Sequence, residues 1–211
     1  MVEVLDGFRH ISGALGRDQQ LMLLNEISEI AAVAPLFIPR MPRTGNEFSV
    51  RMTNCGDLGW VSDKSGGYRY QSRHPETGKL WPAIPPSLNE LWQRLTIDQP
   101  LPEVCLINYY GHTAKMGLHK DSDEPNRLTP VVSISIGDRA RFRIGGRNRR
   151  DPTSTIDIVS GDIVILGGEA REAYHGIDRI YPGTSDLLQQ GGRYNLTLRR
   201  VHPEGSNLAK E

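Results

Sequence analysis

The chain has 211 residues, enough for one domain with a sizeable core, and its 25 basic and 25 acidic residues leave a formal net charge of zero. No field of the whole molecule therefore attracts nucleic acid or anionic lipid, and such binding would need a local basic patch. No run of about 18 apolar residues predicts a membrane span, and residues 1–13 lack a signal-peptide pattern. Cys55 and Cys105 form no CxxC motif. We expect a protein of the reducing cytoplasm.

Two helices are predicted in the first hundred residues. The first follows Asp18, its expected N-cap, ends before Pro35 and Pro39, and has apolar residues at roughly helical spacing at Leu21, Leu24, Ile27, Ile30 and Ala31. The second, in PSLNELWQRLTID, places one apolar face at Leu88, Leu91, Trp92 and Leu95. Between them, residues 46–86 are rich in turn residues and aromatics, which indicates short strands and a mobile loop system.

From residue 102 the hydrophobic pattern alternates with a period of two. The predicted strands are EVCLINYY, TPVVSISIGD, RARFRIGG, STIDIVSGDIVILGG and GGRYNLTLRR, separated by Gly, Pro, Asp and Asn turns. Short antiparallel strands after N-terminal helices predict an α+β protein that is mainly β, with a β-sandwich or jelly-roll core. Helices do not alternate with strands, so a doubly wound fold is a poor fit.

The stretch GLHKDSDE contains a candidate metal-binding pair. In an extended segment, residues two apart project from one face, so His119 and Asp121 can reach the same ion while Lys120 turns away. Two histidines and one carboxylate form the facial triad of non-haem Fe(II) oxygenases, which leaves positions open for O2 and a co-substrate. His175, after the apolar strand 163–166 and a Gly-Gly turn, can supply the second imidazole from a facing strand. An HxD alone is weak, since a single histidine is more often a surface or hydrogen-bonded core residue.

The last predicted strand carries two arginines on one face. Arg193, Asn195, Thr197 and Arg199 alternate with an apolar set at 194, 196 and 198. An edge strand would turn this polar face to solvent. Beside an Fe(II) triad, however, two guanidiniums suit a dicarboxylate such as 2-oxoglutarate. Asn108 and Tyr110, on one face of an earlier strand, could add hydrogen bonds.

Together these motifs resemble the AlkB-type Fe(II)/2-oxoglutarate-dependent dioxygenases. The similar segments are INYYGHTAKMGLHKDSDE, SGDIVILGGEAREAYHGI, RYNLTLRR, TNCGDLGW and WPAIPPSLNEL, and the resemblance extends from about residue 18 to about residue 201. It implies one domain, 1–211: helices and a nucleotide-recognition lid in about 1–101, a double-stranded β-helix (jelly-roll) catalytic core in about 102–201, and a tail at 202–211. It also implies Fe(II), O2 and 2-oxoglutarate as requirements.

The resemblance assigns roles position by position. It implies His119, Asp121 and His175 as iron ligands and catalytic residues. Around 2-oxoglutarate it implies Arg193, Asn195 and Tyr110 at the distal carboxylate, and Arg199 and Asn108 near the keto-acid end, although which arginine meets which end stays open.

The implied reaction is the oxidative dealkylation of bases such as 1-methyladenine and 3-methylcytosine in DNA, or alternatively RNA, with release of succinate, carbon dioxide and formaldehyde. Trp60 would stack on the flipped base opposite His119, and Tyr68, despite one inserted residue before it, would lie near the substrate backbone. Asp123 would favour a cationic methylated base. In RARFRIGGRNRRDP, Arg149 is the preferred phosphate contact. The segment 39–50 matches poorly, and no contact is carried over from it.

Two alternatives stay open at the level of sequence. One is a 2-oxoglutarate-dependent hydroxylase of a protein or small molecule, against which Trp60, Asp123 and the arginine-rich segment argue. The other is a nucleic-acid-binding module without activity, against which the complete triad and both strand arginines argue. Single-stranded or double-stranded alkylated DNA is the expected partner, with no membrane association, and a monomer suffices.

Overall fold

The computed structural model describes residues 5–205. The two α-helices are α1, Arg17–Val33, and α2, Pro86–Leu95. A 3-10 turn covers Gly168–Glu172. The strands are β1 Phe8–Ile11, β2 Val50–Gly56, β3 Gly59–Asp63, β4 Gly67–Gln71, β5 Val104–Tyr110, β6 Met116–His119, β7 Val131–Gly137, β8 Arg139–Ile144, β9 Ser154–Ile158, β10 Ile163–Leu166, β11 His175–Tyr181 and β12 Arg193–Arg199.

The strands form two main antiparallel sheets and a separate hairpin. The larger sheet has the order β1-β10-β7-β12-β5-β2, the smaller has β6-β11-β8-β9, and β3 pairs with β4. Strands from before residue 101 lie at both edges of the larger sheet, β1 beside β10 and β2 beside β5. The expected mainly β architecture with two helices is confirmed, and it is consistent with a jelly roll.

Two apolar layers hold these elements together. One lies between the sheets and joins Val131, Val164 and Leu166 of the larger sheet to Phe142 and Ile177 of the smaller one. The other lies between the opposite face of the larger sheet and the two helices. The larger sheet is therefore covered on both faces, and a space between the sheets remains for a site.

The helix predictions hold in outline but are wrong in detail at the start of α1. The N-cap is Gly16, whose N–H donates to the Gln19 side chain at 3.0 Å, and Asp18 lies in the first turn instead. Leu21, expected on the buried face, is 42% exposed. The buried face is formed by Leu23, Ile27 and Ile30, because the helix is rotated relative to the expected stripe. In α2, Leu88, Leu91 and Trp92 are buried as predicted.

The predicted strands all occur, and three further short strands were missed. β1 has only four residues, β6 contains Gly117, and β11 contains the consecutive exposed charges Asp178 and Arg179, so none of them shows a clear period-two pattern. β12 lies between β7 and β5 and is a central strand. Arg193 and Arg199 on its polar face are 1% and 7% exposed, so the alternative of an edge strand with this face toward solvent is wrong. In the part of the chain that the structure covers, no helix is long and apolar enough to cross a membrane.

Replacement of Leu196 by Ala should destabilise the fold by about 2–5 kcal/mol, since a buried leucine is removed from the central strand. Leu196 is 1% exposed. The control is Leu21→Ala, on the exposed side of α1, which should change the free energy of unfolding by about 0.5 kcal/mol or less. Urea unfolding followed by circular dichroism measures both, and equal losses would contradict the assigned core.

Candidate active site

Three potential metal ligands converge at one end of the smaller sheet. His119 ends β6 and His175 begins β11, and the two are direct partners in the strand register. Asp121 follows two residues later, in the loop rather than in a continued strand. Its Oδ1 lies 3.7 Å from Nε2 of His119, and its Oδ2 lies 3.8 Å from Nε2 of His175. One ligand atom from each residue lies within 4.8 Å of the others, so the three can share an ion.

Both imidazoles are oriented by the backbone. Nδ1 of His119 lies 3.0 Å from the Gly117 carbonyl oxygen, and Nδ1 of His175 lies 3.0 Å from the Ala173 carbonyl oxygen. A carbonyl can only accept, so each Nδ1 carries the proton and each Nε2 offers its lone pair to the centre of the cluster. This arrangement is typical of metal-binding histidines.

The two carboxylate oxygens of Asp121 have different environments. Its Oδ1 accepts a hydrogen bond from Arg199 Nη2 at 3.0 Å, whereas its Oδ2 is buried and has no hydrogen-bond partner within residues 5–205. Burial tends to raise the pKa of Asp121, but the positive charge of Arg199, followed by His175 and His119, outweighs burial and holds this pKa well below its usual value. A buried, ionised and unpartnered oxygen beside two imidazole nitrogens fits a divalent cation.

His175 is also prepared for metal binding. Burial, reinforced by the neighbouring His119, lowers the pKa of His175 to about 4, although Asp121 opposes the shift. The imidazole is therefore neutral at pH 7, as a metal ligand must be.

A buried ionic network surrounds Asp121, and no pattern in the sequence predicts it. Glu124 is 1% exposed; its Oε1 accepts from Arg199 Nη1 at 2.8 Å and its Oε2 from Arg171 Nη2 at 2.9 Å. Arg171 also donates to the backbone oxygen of Asp121 at 2.8 Å. Tyr70, on the β3–β4 hairpin, donates its hydroxyl to Glu124 and accepts from Arg199. The network thus ties the metal-site loop to β12, to the 3-10 turn and to the hairpin.

In the sequence, two of the residues in this network are distinguished only by their spacing from residues with a predicted role. Arg171 lies four residues before His175, and Tyr70 lies two residues after Tyr68 on a strand. Neither spacing indicates a partner so far away in the chain, and the acidic run at residues 121–124 has the composition of a solvated turn.

Arg193 lines the same cavity as the metal cluster, a space of about 230 Å³ between the sheets. Arg193 is 1% exposed, and its Nη2 donates to Ser135 Oγ at 2.8 Å, but Nε and Nη1 have no partner in the described residues. Burial lowers the pKa of Arg193 to about 10, with Tyr110 and Asp162 opposing the shift, so the group is charged at pH 7. Two buried donors without acceptors fit a carboxylate, which can accept from both.

The other residues expected around 2-oxoglutarate line the same cavity: Asn108, Tyr110, Asn195 and Arg199. Asn108 has a buried Oδ1 without a partner among residues 5–205. The amide of Asn195, in contrast, donates to Ser133 Oγ at 2.7 Å and to the Ile134 carbonyl at 3.1 Å. Both terminal nitrogens of Arg199 already bind carboxylates. Arg193 thus has two buried nitrogens without a partner among the described residues, Nε and Nη1, whereas Arg199 has one, Nε.

At the mouth of this cavity lie the residues expected to meet a base. The indole Nε1 of Trp60 donates to Asp123 Oδ2 at 2.9 Å. Tyr68 stacks on Trp60, with ring centroids 5.6 Å apart, and Phe48 contacts the indole edge-on at 6.2 Å. His119 and Asp123 line the same opening. Phe48 lies in the segment 39–50, for which the family resemblance implied no contact.

The arginine-rich segment forms β8 and the loop between β8 and β9. Most of its arginines face a carboxylate: Arg139 and Arg141 face Asp157, Arg143 faces Asp178, and Arg147 faces Glu169. Arg149 is exposed at the loop tip and makes no ion pair with another described residue. Its guanidinium is therefore available, as the choice of Arg149 for a phosphate contact requires.

Comparison with known proteins gives consistent relationships. Residues 7–199 match the 2OG-Fe(II) oxygenase superfamily. The chain is 49% identical to the alpha-ketoglutarate-dependent dioxygenase AlkB homolog of Caulobacter vibrioides, over 94% of this chain and 89% of that protein. It is 41% identical to the alpha-ketoglutarate-dependent dioxygenase AlkB of Escherichia coli K12, over 85% and 83%. The solved structure of OsALKBH1 superposes with a TM-score of 0.80 at 28% identity, covering 94% of this chain and 98% of that one.

Replacement of Asp121 by Asn should weaken Mn(II) binding by about 100-fold or more, since the amide lacks the charge of the ionised ligand oxygen. Electron paramagnetic resonance of free Mn(II) measures the change. The matched control is Asp57→Asn, an exposed aspartate with no recorded ion pair among the described residues. Equal affinities in the two variants would exclude Asp121 as a ligand.

Replacement of Arg193 by Met should weaken 2-oxoglutarate binding to the Mn(II)-loaded protein by about 10- to 100-fold, because a charge-assisted pair of hydrogen bonds is lost. Arg193→Lys should retain part of the affinity, since it keeps the charge without the planar fork. Isothermal titration calorimetry gives both affinities. Mn(II) affinity should not change, and unaltered 2-oxoglutarate binding in Arg193→Met would show that the carboxylate lies elsewhere.

Proposed function

Since the chain belongs to the 2OG-Fe(II) oxygenase superfamily, and within it to the AlkB-type dioxygenases, we propose that it oxidatively removes alkyl groups from nucleobases. The substrates are N-alkylated bases such as 1-methyladenine and 3-methylcytosine in DNA, with RNA as the alternative. The observation that carries the proposal is the shared cavity, which is lined by the metal cluster, by Arg193, and by Trp60 and Asp123 at its mouth.

The enzyme is a dioxygenase that uses Fe(II), 2-oxoglutarate and O2. When bound, these supply the oxidising power that hydroxylates the N-alkyl carbon, after which the alkyl group leaves as an aldehyde. The protein holds and orients the reactants. His119, Asp121 and His175 would ligate the iron, and Arg193 would anchor the distal carboxylate of 2-oxoglutarate, with Tyr110 beside it.

Recognition of the base would depend on the β3–β4 hairpin, which we propose as a nucleotide-recognition lid. A base within a duplex cannot reach an ion at the bottom of a cavity, so it must be flipped out or already unpaired. The indole of Trp60 would offer an aromatic surface that compensates for the lost stacking, and His119, which lines the same cavity, would face the base from the other side. Because Tyr68 covers part of the indole in the structure, we expect Tyr68 to shift when a base enters.

Asp123 would select for the alkylated form of the base. 1-Methyladenine and 3-methylcytosine carry a positive ring charge that the unmodified bases lack. A carboxylate at about 4 Å attracts that charge by roughly 4 kcal/mol at an effective dielectric of 20, before desolvation is subtracted. The hydrogen bond from Trp60 fixes Asp123 at the cavity mouth. A fraction of this attraction would suffice for several-fold selectivity.

Arg149 would contact the phosphate backbone near the flipped base, since its guanidinium is exposed in the β8–β9 loop. We further propose that the protein acts as a monomer in the cytoplasm. The buried thiols of Cys55 and Cys105 are unpaired, as a reducing compartment requires.

Turnover of a methylated oligonucleotide tests the proposal directly. The protein is incubated with Fe(II), ascorbate, 2-oxoglutarate and an oligonucleotide that carries 1-methyladenine. Mass spectrometry follows the decrease in oligonucleotide mass of about 14 Da that corresponds to the net loss of one CH2 group. A folded, Mn(II)-binding protein that leaves every methylated base unchanged, yet oxidises a protein or small molecule, would contradict the proposed substrate.

Replacement of Trp60 by Ala should raise the KM for the methylated oligonucleotide by about tenfold or more, because a stacked base gains about 1–3 kcal/mol from its aromatic partner. Trp60→Phe should retain most of this affinity, since it keeps a stacking surface and loses only the hydrogen bond to Asp123. Binding of Mn(II) and 2-oxoglutarate should stay as in the wild type. An unchanged KM in Trp60→Ala would show that the lid assignment is wrong.

A further inference from the structure

The outer face of the smaller sheet carries more arginines than its carboxylates can neutralise. Side chains of β8 alternate, so that Ala140, Phe142 and Ile144 enter the core while the intervening arginines point outward. We call the set of four guanidiniums on this face the arginine strip: Arg139, Arg141, Arg143 and Arg179. Two acidic residues, Asp157 and Asp178, lie among them. The face therefore has a surplus of two positive charges.

The pairing of Arg141 with Arg179 is unfavourable for folding. They are direct cross-strand partners of β8 and β11, and like charges directly opposite each other destabilise a sheet. Arg141 has only a long contact to Asp157, 3.7 Å, which Arg139 shares at 3.0 Å. Arg179 is exposed and faces no carboxylate in the described part of the chain. Exposed ion pairs contribute little in any case, so the fold gains nothing evident from this arrangement.

Tyr181 orders the strip. The guanidinium carbons of Arg139 and Arg141 lie 4.1 and 5.6 Å from the centre of its ring. Cation–π contacts hold guanidiniums in place without consuming their N–H donors. A planar, positioned guanidinium suits a phosphate better than a freely moving one.

The strip begins beside the candidate active site. Arg143 and Ile144 of β8 lie opposite Gly176 and His175, and the β8–β9 loop with Arg149 continues from there. Alternate residues of a strand are about 6.6–6.8 Å apart, so the three β8 guanidiniums extend about 13 Å away from the metal end. A strand whose base occupies the cavity could pass over the loop and continue along this face.

We propose that the arginine strip is a second nucleic-acid contact, which binds the sugar–phosphate backbone of the single strand that flanks the modified base. This inference rests on the proposed function, since it extends the substrate beyond the nucleotide in the cavity. The strip contacts phosphates alone, so it adds affinity for longer strands without sequence preference.

The test compares two double variants that remove the same number of charges. The first is Arg141→Gln with Arg179→Gln, in the strip. The control is Arg17→Gln with Arg51→Gln, and both residues are surface arginines. Arg17, on α1, pairs with Asp186, and Arg51, on β2, packs over the ring of Tyr109. Each protein acts on a trinucleotide and on a 15-mer with a central 1-methyladenine, and binding of the 15-mer is measured by fluorescence anisotropy at several salt concentrations.

The strip variant should raise the KM for the 15-mer by about tenfold and leave trinucleotide turnover unchanged, which also reports that the variant is folded. The slope of log affinity against log salt for the 15-mer should fall by about 1.4, since each lost phosphate contact on a single strand accounts for about 0.7. The control variant should behave as the wild type in all three measurements.

The outcomes are separable. If the wild type is active and the strip variant matches the control, the strip does not contact the strand and this inference is wrong. Equal losses in strip and control variants would also contradict it, because they would reflect net charge alone. A wild type that demethylates neither oligonucleotide would instead contradict the proposed function.

Discussion

The site depends on how one buried carboxylate is shared. Arg199 binds Oδ1 of Asp121 and leaves Oδ2 without a partner, facing His175. A buried ionised oxygen with no partner is destabilising, and a cation bound to that atom would compensate for the lost hydration. Arg199 keeps the carboxylate ionised and fixes its orientation before any metal arrives. The two imidazoles are oriented in the same way by backbone carbonyls, and thus all three ligands are preorganised.

The charges around Asp121 also indicate why metal and co-substrate belong together. Arg199 and Arg171 balance Asp121 and Glu124 among these four buried groups. Fe(II) would add two positive charges that no further carboxylate in the network offsets, while Arg193 adds another nearby. A keto-diacid brings two negative charges into the same cavity and fits both Arg193 and the metal. Buried ion pairs often give little net stability, so we interpret this network as a device for orientation.

Tyr70 connects the network to the β3–β4 hairpin. It lies on β4, two residues from Tyr68, and binds both Glu124 and Arg199. Trp60, on the partner strand β3, binds Asp123 in the metal-site loop. The hairpin that would receive the base is therefore attached at two points to the loop that holds the metal ligand. These two attachments would set the position of a bound base relative to the metal ligands.

Sequence reasoning found what depends on local pattern and missed what depends on distant contacts. Period-two alternation located the central strands and the inward polar face of β12, and the HxD motif with His175 located the metal cluster. The resemblance to a known family supplied Trp60 and Asp123, which periodicity alone would not have selected. The N-cap of α1 was misplaced because Gly16 has no side chain to signal a cap. Glu124 and Arg171 were missed because the two residues of this buried ion pair are 47 positions apart, and no local sequence pattern indicates such a distant contact.

The claim that Oδ1 of Asp121 binds Arg199 while Oδ2 binds the metal is best tested by a crystal structure. The protein is crystallised with Mn(II) and 2-oxoglutarate, and the metal is located by anomalous scattering. We expect Mn(II) bound to Nε2 of His119, Nε2 of His175 and Oδ2 of Asp121, with Oδ1 still held by Arg199 and the distal carboxylate of 2-oxoglutarate on Arg193. A metal bound through Oδ1, with Arg199 turned away from Asp121 and toward 2-oxoglutarate, would contradict the account.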